Sequence, residues 1–133
     1  MIYLDYSATT PVSYDVLESY IRATKDFMGN PNSLHSLGVK SKALMNSAIK
    51  QISDIFSVLE SEITFTSGAT MANNLALIGT CLANMKKGNH LIVSKLEHPS
   101  IYEICAYLES IGFEVSYVDN NEDGLIDFDD LKK

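Results

Sequence analysis

Glu62-Ile63-Thr64-Phe65-Thr66-Ser67-Gly68-Ala69-Thr70 decides the reading of the fold. Its first half is rich in β-formers and reads as a strand over Glu62 to Thr66. Its second half is a turn of small residues, and the chain then turns apolar on nearly every face: Ala72, Leu75, Ala76, Leu77, Ile78, Leu82, Ala83. That pattern predicts a buried helix. Lys86-Lys87-Gly88 closes it, with two cations at the negative helix end and a glycine to stop it.

Downstream, the same alternation repeats. Leu91-Ile92-Val93 is an unalternating apolar run, as expected of a parallel strand covered on both faces. Pro99 suits the first turn of a further helix, in which Ile101, Ile104, Cys105, Leu108 and Ile111 share a stripe. Gly112 ends that helix, and Phe113 to Val118 reads as the next strand. An acidic turn and the start of a last helix, Phe128 to Lys133, complete the chain. Strand, helix, strand, helix, strand in succession builds a parallel sheet with helices on its faces. Upstream, Ile2-Tyr3-Leu4 reads as an extended arm running into a turn, so that residues 1–12 stand apart from a domain over residues 13–133. Ser13 is placed to cap a helix with Leu17, Tyr20, Ile21, Thr24 and Phe27 on one face. Gly29-Asn30-Pro31-Asn32-Ser33 breaks it, and a longer helix is expected from about Val39 to Leu59.

The bulk properties narrow the class of function. The 133 residues are 46% hydrophobic and 20% charged, with a net charge of -7. An acidic chain lacks the basic face that nucleic acid or an anionic membrane demands as partner. The most apolar stretch, Leu75 to Ala83, is too short to span a bilayer, and no basic-then-apolar leader opens the sequence. Cys81 and Cys105 form no CxxC pair and sit on apolar helix stripes, which fits packed thiols in a reducing cytoplasm. These features describe a soluble, acidic, cytoplasmic α/β domain.

Two segments carry chemistry. Ser67-Gly68-Ala69-Thr70 joins a strand to a helix, where unpaired backbone N–H groups and the positive helix end attract a phosphate. A hydroxyl cap plus a turn glycine accounts for the same residues, and the dinucleotide and nucleoside-triphosphate fingerprints are absent. Glu97-His98-Pro99 follows the next strand, at the sheet end where ligands of open parallel sheets bind. An imidazole there can stack on a flat ligand or move protons, or can merely cap a helix. The acidic turn Asp119-x-Asn121-x-Asp123-Gly124 resembles a calcium loop, but such a loop requires an entering helix and Phe113 to Val118 reads as a strand. A Ser67–His98 hydrolytic pair lacks the G-x-S-x-G elbow and an acid partner. No metal site is expected.

In order and spacing, Tyr3-Leu4-Asp5-Tyr6-Ser7-Ala8-Thr9-Thr10-Pro11, the Gly29 to Ser33 loop with His35, Phe65 to Thr70 with Asn73-Asn74, and Glu97-His98 resemble one family. It is the cysteine desulfurase branch of the class V aminotransferase-like, pyridoxal-phosphate enzymes, and the likeness covers essentially the whole chain. The resemblance implies a partial fold type I transferase major domain, with a mostly parallel sheet flanked by helices. It implies pyridoxal 5'-phosphate as cofactor, with Ala69 and Thr70 at its phosphate and His98 stacked on its ring and assisting proton transfer. The family converts L-cysteine to L-alanine and passes the sulfur on as a persulfide, to acceptor proteins and iron–sulfur cluster assembly. Met71 departs from the pattern, because a glutamate usually follows the small-residue turn. The family's Schiff-base lysine, its aspartate facing the pyridinium nitrogen and its sulfur-accepting cysteine all match positions beyond Lys133. Lys95 matches no family lysine. The chain is therefore expected to be a truncated N-terminal portion, inactive alone, binding cofactor weakly if at all, and self-associating through surfaces that the remainder would cover. A non-catalytic scaffold unit, and part of a selenocysteine lyase or desulfinase, stay open as alternatives.

Overall fold

The structure is a computed structural model that describes residues 2–133. These divide into two compact units, residues 2–64 and 65–133. In the first, helix α1 spans Tyr14–Asp26 and α2 spans Ser36–Phe56. The expected stripe of α1 is present but open, with Leu17 and Ile21 both exposed. Helix α2 begins three residues before the expected Val39, because His35 caps it: Nδ1 accepts the Gly38 N–H at 3.3 Å. It ends three residues before Leu59, where Ser57 turns into the left-handed region at φ 55°.

The loop Gly29 to Ser33 is held against the start of α2 by a close backbone approach. A side chain added at Gly38 would put its Cβ 2.6 Å from the Asn30 carbonyl oxygen, and one at Gly29 would lie 2.5 Å from the Leu37 carbonyl. Glycine is needed at both positions for the backbones to meet. The buried Ser41 hydroxyl adds a tie, donating to the Phe27 carbonyl at 3.0 Å.

The expected strand over Glu62 to Thr66 is absent. Glu60–Glu62 instead form one turn of 3-10 helix, drawn in by the Glu62 carboxylate, which accepts the Leu59 N–H at 2.7 Å. Ile63 is extended at φ -97°, ψ 124°, yet among the described residues the sheet has two strands, and these pair with each other. An extended segment without a neighbouring ladder is not a strand, whatever its propensity.

In the second unit, α3 spans Ala69–Asn84, β1 His90–Ser94, α4 Pro99–Ser110, β2 Glu114–Val118 and α5 Phe128–Leu131. The strands β1 and β2 are parallel, with His90 opposite Glu114 and Ser94 opposite Val118, as the alternation of elements predicts. Ile104, Leu108 and Phe113 form the core, with Leu77, Ile78, Cys81 and Leu91 packed against it. Burying a side chain such as Leu108 contributes about 1.5–3 kcal/mol. Two burial expectations fail. No residue of α3 is buried, and Leu75 is 53% exposed, because among the described residues α4 is the one helix packed against α3 and covers a single face. Ile92, in the middle of β1, is 56% exposed, so that strand too is covered on one side. Gly112 follows the end of α4 at φ 99°, a conformation that suits glycine. The acidic turn is entered from β2, and an isolated Asn120–Ile126 antiparallel bridge closes it. There, Asp127 caps α5 by accepting the Asp129 and Asp130 N–H groups.

Candidate functional site

The start of α3 carries Ala69 and Thr70 in its first turn, both exposed. Gly68 precedes the helix in extended conformation and offers no side chain to cap it. The neighbouring hydroxyls go elsewhere. Thr66 Oγ1 donates to the Gly68 carbonyl at 3.1 Å, and Ser67 Oγ faces the Met71 sulfur at 3.4 Å. A thioether is a weak acceptor, so Met71 holds Ser67 loosely where a carboxylate would accept its proton firmly. Among the described residues the first N–H groups of this 16-residue helix thus have no capping side chain, and the helix dipole adds positive potential. This donor set suits a phosphate.

His98 is the N-cap of α4, and its exposed imidazole is fixed from behind. Nδ1 accepts the Ser100 N–H at 3.1 Å and lies 2.9 Å from Ser100 Oγ. Ser100 Oγ in turn accepts from Asn73 Nδ2 of α3 at 3.0 Å. Two of the expected site segments, the α3 start and His98, are therefore in one unit and joined through Asn73 and Ser100. Ser67 and His98 are engaged with other partners, so they form no hydrolytic pair.

The loop that carries His98 is strapped to the end of β2. Lys95 Nζ donates to Asp119 Oδ1 at 2.6 Å, and Tyr102 Oη donates to the Lys95 carbonyl at 2.5 Å. The Asp119 hydrogen bond raises the pKa of Lys95 above the ordinary lysine value against a smaller desolvation effect, which keeps the amine charged. Cys105 is fully buried in the core, and burial pushes its thiol pKa up, with Tyr117 as a hydrogen-bonding neighbour. Cys81 is half-buried, and both cysteines are free thiols. A groove of about 300 Å³ runs along Leu77, Leu91, Ile92, Glu97 and Ile101. It is mostly apolar and contains neither Thr70 nor His98, so it is a packing groove rather than the site. No helix among the described residues is long and apolar enough to cross a membrane.

The sequence pointed to Ala69, Thr70 and His98, and it missed Asn73 and Ser100 as their link. The local signal was slight: a serine one residue after the Pro99 helix start, and an asparagine one turn into α3.

Residues 2–133 match the family described as aminotransferase class-V. The chain is 45% identical over 135 residues to a cysteine desulfurase IscS of Buchnera aphidicola subsp. Schizaphis graminum, covering 99% of this chain and 33% of that protein. It is 43% identical to a putative cysteine desulfurase NifS of Halalkalibacterium halodurans, covering 98% of this chain and 35% of that one. Among solved structures, a NifS-like protein superposes with a TM-score of 0.86 at 34% identity, over 94% of this chain and 34% of its own. A structure of SspA in complex with cysteine superposes with a TM-score of 0.78 at 40% identity, over 86% of this chain and 33% of its own. The chain thus spans about a third of the length of the curated relatives it matches. The chain belongs to the class V aminotransferase family, and the relatives it resembles there are cysteine desulfurases.

Proposed function

We propose that this chain is the N-terminal part of a pyridoxal-phosphate-dependent cysteine desulfurase, contributing the phosphate cradle and the ring-stacking histidine. On this reading residues 13–133 belong to the major domain, and the lysine, aspartate and acceptor cysteine come from outside the chain. Alone, it is inactive. The observation that carries the reading is the uncapped start of α3, which bears Ala69 and Thr70 and is linked within one unit to exposed His98. A donor set for phosphate and a flat exposed ring fit the two ends of pyridoxal phosphate. When bound, that cofactor supplies an electron sink for carbon–sulfur bond cleavage.

The chain's own residues have separable tasks. The α3 N–H groups and the Thr70 hydroxyl would hold the phosphate, and the helix dipole would support its charge. His98 would meet the cofactor ring, and its Nε2, without a hydrogen-bond partner among the described residues, would be the atom to handle a proton. Lys95, charged and paired with Asp119, is unsuited to act as a nucleophilic amine. L-cysteine as substrate rests on the relatives' names and on the cysteine complex of SspA. A cytoplasmic setting is in keeping with two free thiols. Self-association would cover apolar surface such as Leu75 and Ile92, and sulfur-acceptor proteins would meet the assembled enzyme.

Complementation tests this. Co-expressed with the matching remainder of a close relative, the chain should form a yellow complex that releases alanine from cysteine. Thr70→Ala should weaken cofactor retention by about 1.5–3 kcal/mol, the worth of a hydrogen bond to a charged group. His98→Asn keeps a side chain suited to capping and should lower turnover with folding intact. A complex whose cofactor retention and turnover ignore both substitutions would refute the assignment.

A further inference from the structure

A buried hydroxyl stands behind His98. Ser100 is 8% exposed, in the first turn of α4, and its Oγ lies between His98 Nδ1 at 2.9 Å and Asn73 Nδ2 at 3.0 Å. The roles of these atoms follow from their chemistry. An amide NH₂ only donates, so Ser100 Oγ accepts from Asn73 and its own proton is free for Nδ1. The Ser100 backbone N–H also points at Nδ1, from 3.1 Å, and it too only donates. Two donors converge on one ring nitrogen. Nδ1 therefore offers its lone pair, and the ring proton resides on Nε2.

The surroundings exclude a nucleophilic role for Ser100. It is buried, its oxygen already accepts from Asn73, and its proton faces His98 from inside the fold. Asn73 lies one turn along the helix whose start carries Ala69 and Thr70. The orientation of the imidazole is thus tied to that helix and not only to the loop on which His98 sits.

We propose that Ser100 and Asn73 are positioning residues for His98: they hold its ring with Nδ1 inward and Nε2–H outward, in fixed relation to the start of α3. The functional consequence rests on the reading of His98 as the cofactor-facing residue; the ring placement does not. A capping histidine held by one backbone hydrogen bond can still swing about its side-chain torsions. A second donor removes that freedom, and in a site where a misplacement of about 1 Å can cost about a hundredfold in rate, orientation decides activity.

The test is made on the full chain with ¹⁵N-labelled histidine. Two-bond proton–nitrogen correlation spectra are recorded at about pH 8, above the ordinary imidazole range. Wild-type His98 should show the Nε2–H tautomer, with Nδ1 displaced from the resonance of a free pyridine-type nitrogen towards that of a hydrogen-bonded one. Ser100→Ala should move Nδ1 back towards the free value, Asn73→Ala should move it part of the way, and Ser100→Thr, which restores the hydroxyl, should return it. Amide spectra of α4 report whether each variant is folded. Should Ser100→Ala perturb the fold, Asn73→Ala, on a different helix, decides alone. An Nδ1 resonance identical in wild type and both alanine variants, or a proton on Nδ1 in the wild type, overturns the proposal. Adding pyridoxal phosphate to the labelled chain assembled with the matching remainder of a close relative tests the other reading separately. His98 ring resonances that ignore the cofactor in that complex remove the cofactor assignment, and the substitutions still decide whether Ser100 and Asn73 position the ring.

Discussion

Two glycine-to-alanine substitutions in helices should change stability in opposite directions. Gly38 lies in the first turn of α2, and an added Cβ would sit 2.6 Å from the Asn30 carbonyl oxygen and 2.8 Å from the Ser33 side chain. The obstacle includes backbone, which cannot swing aside. Alanine gains up to about 1 kcal/mol of helix propensity over glycine. Forcing the junction open costs about 1–3 kcal/mol by overpacking. Losing the His35 cap on Gly38 N–H adds about 1 kcal/mol. Gly38→Ala should therefore destabilise its unit by about 1–3 kcal/mol. Gly79, midway along α3, is exposed and has nothing within 4 Å of its added Cβ. There the propensity gain stands unopposed, and Gly79→Ala should stabilise by about 0.8–1.0 kcal/mol.

Because the two positions lie in different units, a single melting curve would mix them. Native-state hydrogen exchange resolves them: α2 amides should lose protection in Gly38→Ala, and α3 amides should gain it in Gly79→Ala. The same loop carries part of the family likeness, so its seating on α2 is the feature under test. Gly38→Ala raising α2 protection as Gly79→Ala raises that of α3 would refute the close approach and the reasoning built on it.

Lys95 should resist modification. Treating the chain with pyridoxal phosphate and borohydride should leave it unlabelled, since Asp119 holds its amine charged, and Asp119→Asn should increase its labelling; stoichiometric labelling of Lys95 in the wild type would contradict this. The turn after β2 should respond to acid. The Asp130 carboxylate accepts the Asp119 N–H at 2.9 Å and pairs with Lys133, and the backbone hydrogen bond, followed by Lys133, lowers its pKa below the ordinary aspartate value. A depressed folded pKa means that the stabilisation is complete above the unfolded value, about 3.9, and is lost as pH falls through the lower folded value. The Asp119 amide resonance should accordingly shift only below about pH 4, and Asp130→Asn should abolish that shift; the same acid response in both proteins would exclude Asp130 as its origin.

The elements that announced themselves in the sequence are those set by local chemistry. Pro99 at a helix start, Gly112 at φ 99° after its end, and the stripe Ile104, Cys105, Leu108 each depend on residues a few positions away. What was misread depends on partners. Ile63 to Thr66 has the composition of a strand, but composition does not supply a neighbouring ladder. The all-round apolar face of α3 and the run Leu91-Ile92-Val93 state what those segments can bury; the described residues cover only one side of each. The start of α2 was missed because histidine is an uncommon cap. In the candidate site, the helix start at Thr70 and the cap position of His98 were legible from turn chemistry, whereas Asn73 and Ser100, 27 residues apart, meet only through tertiary packing.

Comparing the three histidines explains why one of them is the candidate for function. His35 and His98 use the same device, an Nδ1 that accepts a backbone N–H at the start of a helix. His90 bridges the two strands, with Nε2 2.9 Å from Ser116 Oγ. Among the described residues the cap is the one hydrogen bond of the His35 ring, and a capping asparagine would serve the helix as well. At His90, by contrast, Nε2 is itself engaged across the two strands. Among the described residues, His98 alone combines a cap, a second anchor on a buried hydroxyl, and an Nε2 without a hydrogen-bond partner. Capping needs only the first of these. A polar hydroxyl kept buried behind an already capped ring, and tied to the helix that begins with Ala69 and Thr70, is intelligible when the direction of the ring matters to something that meets its exposed face.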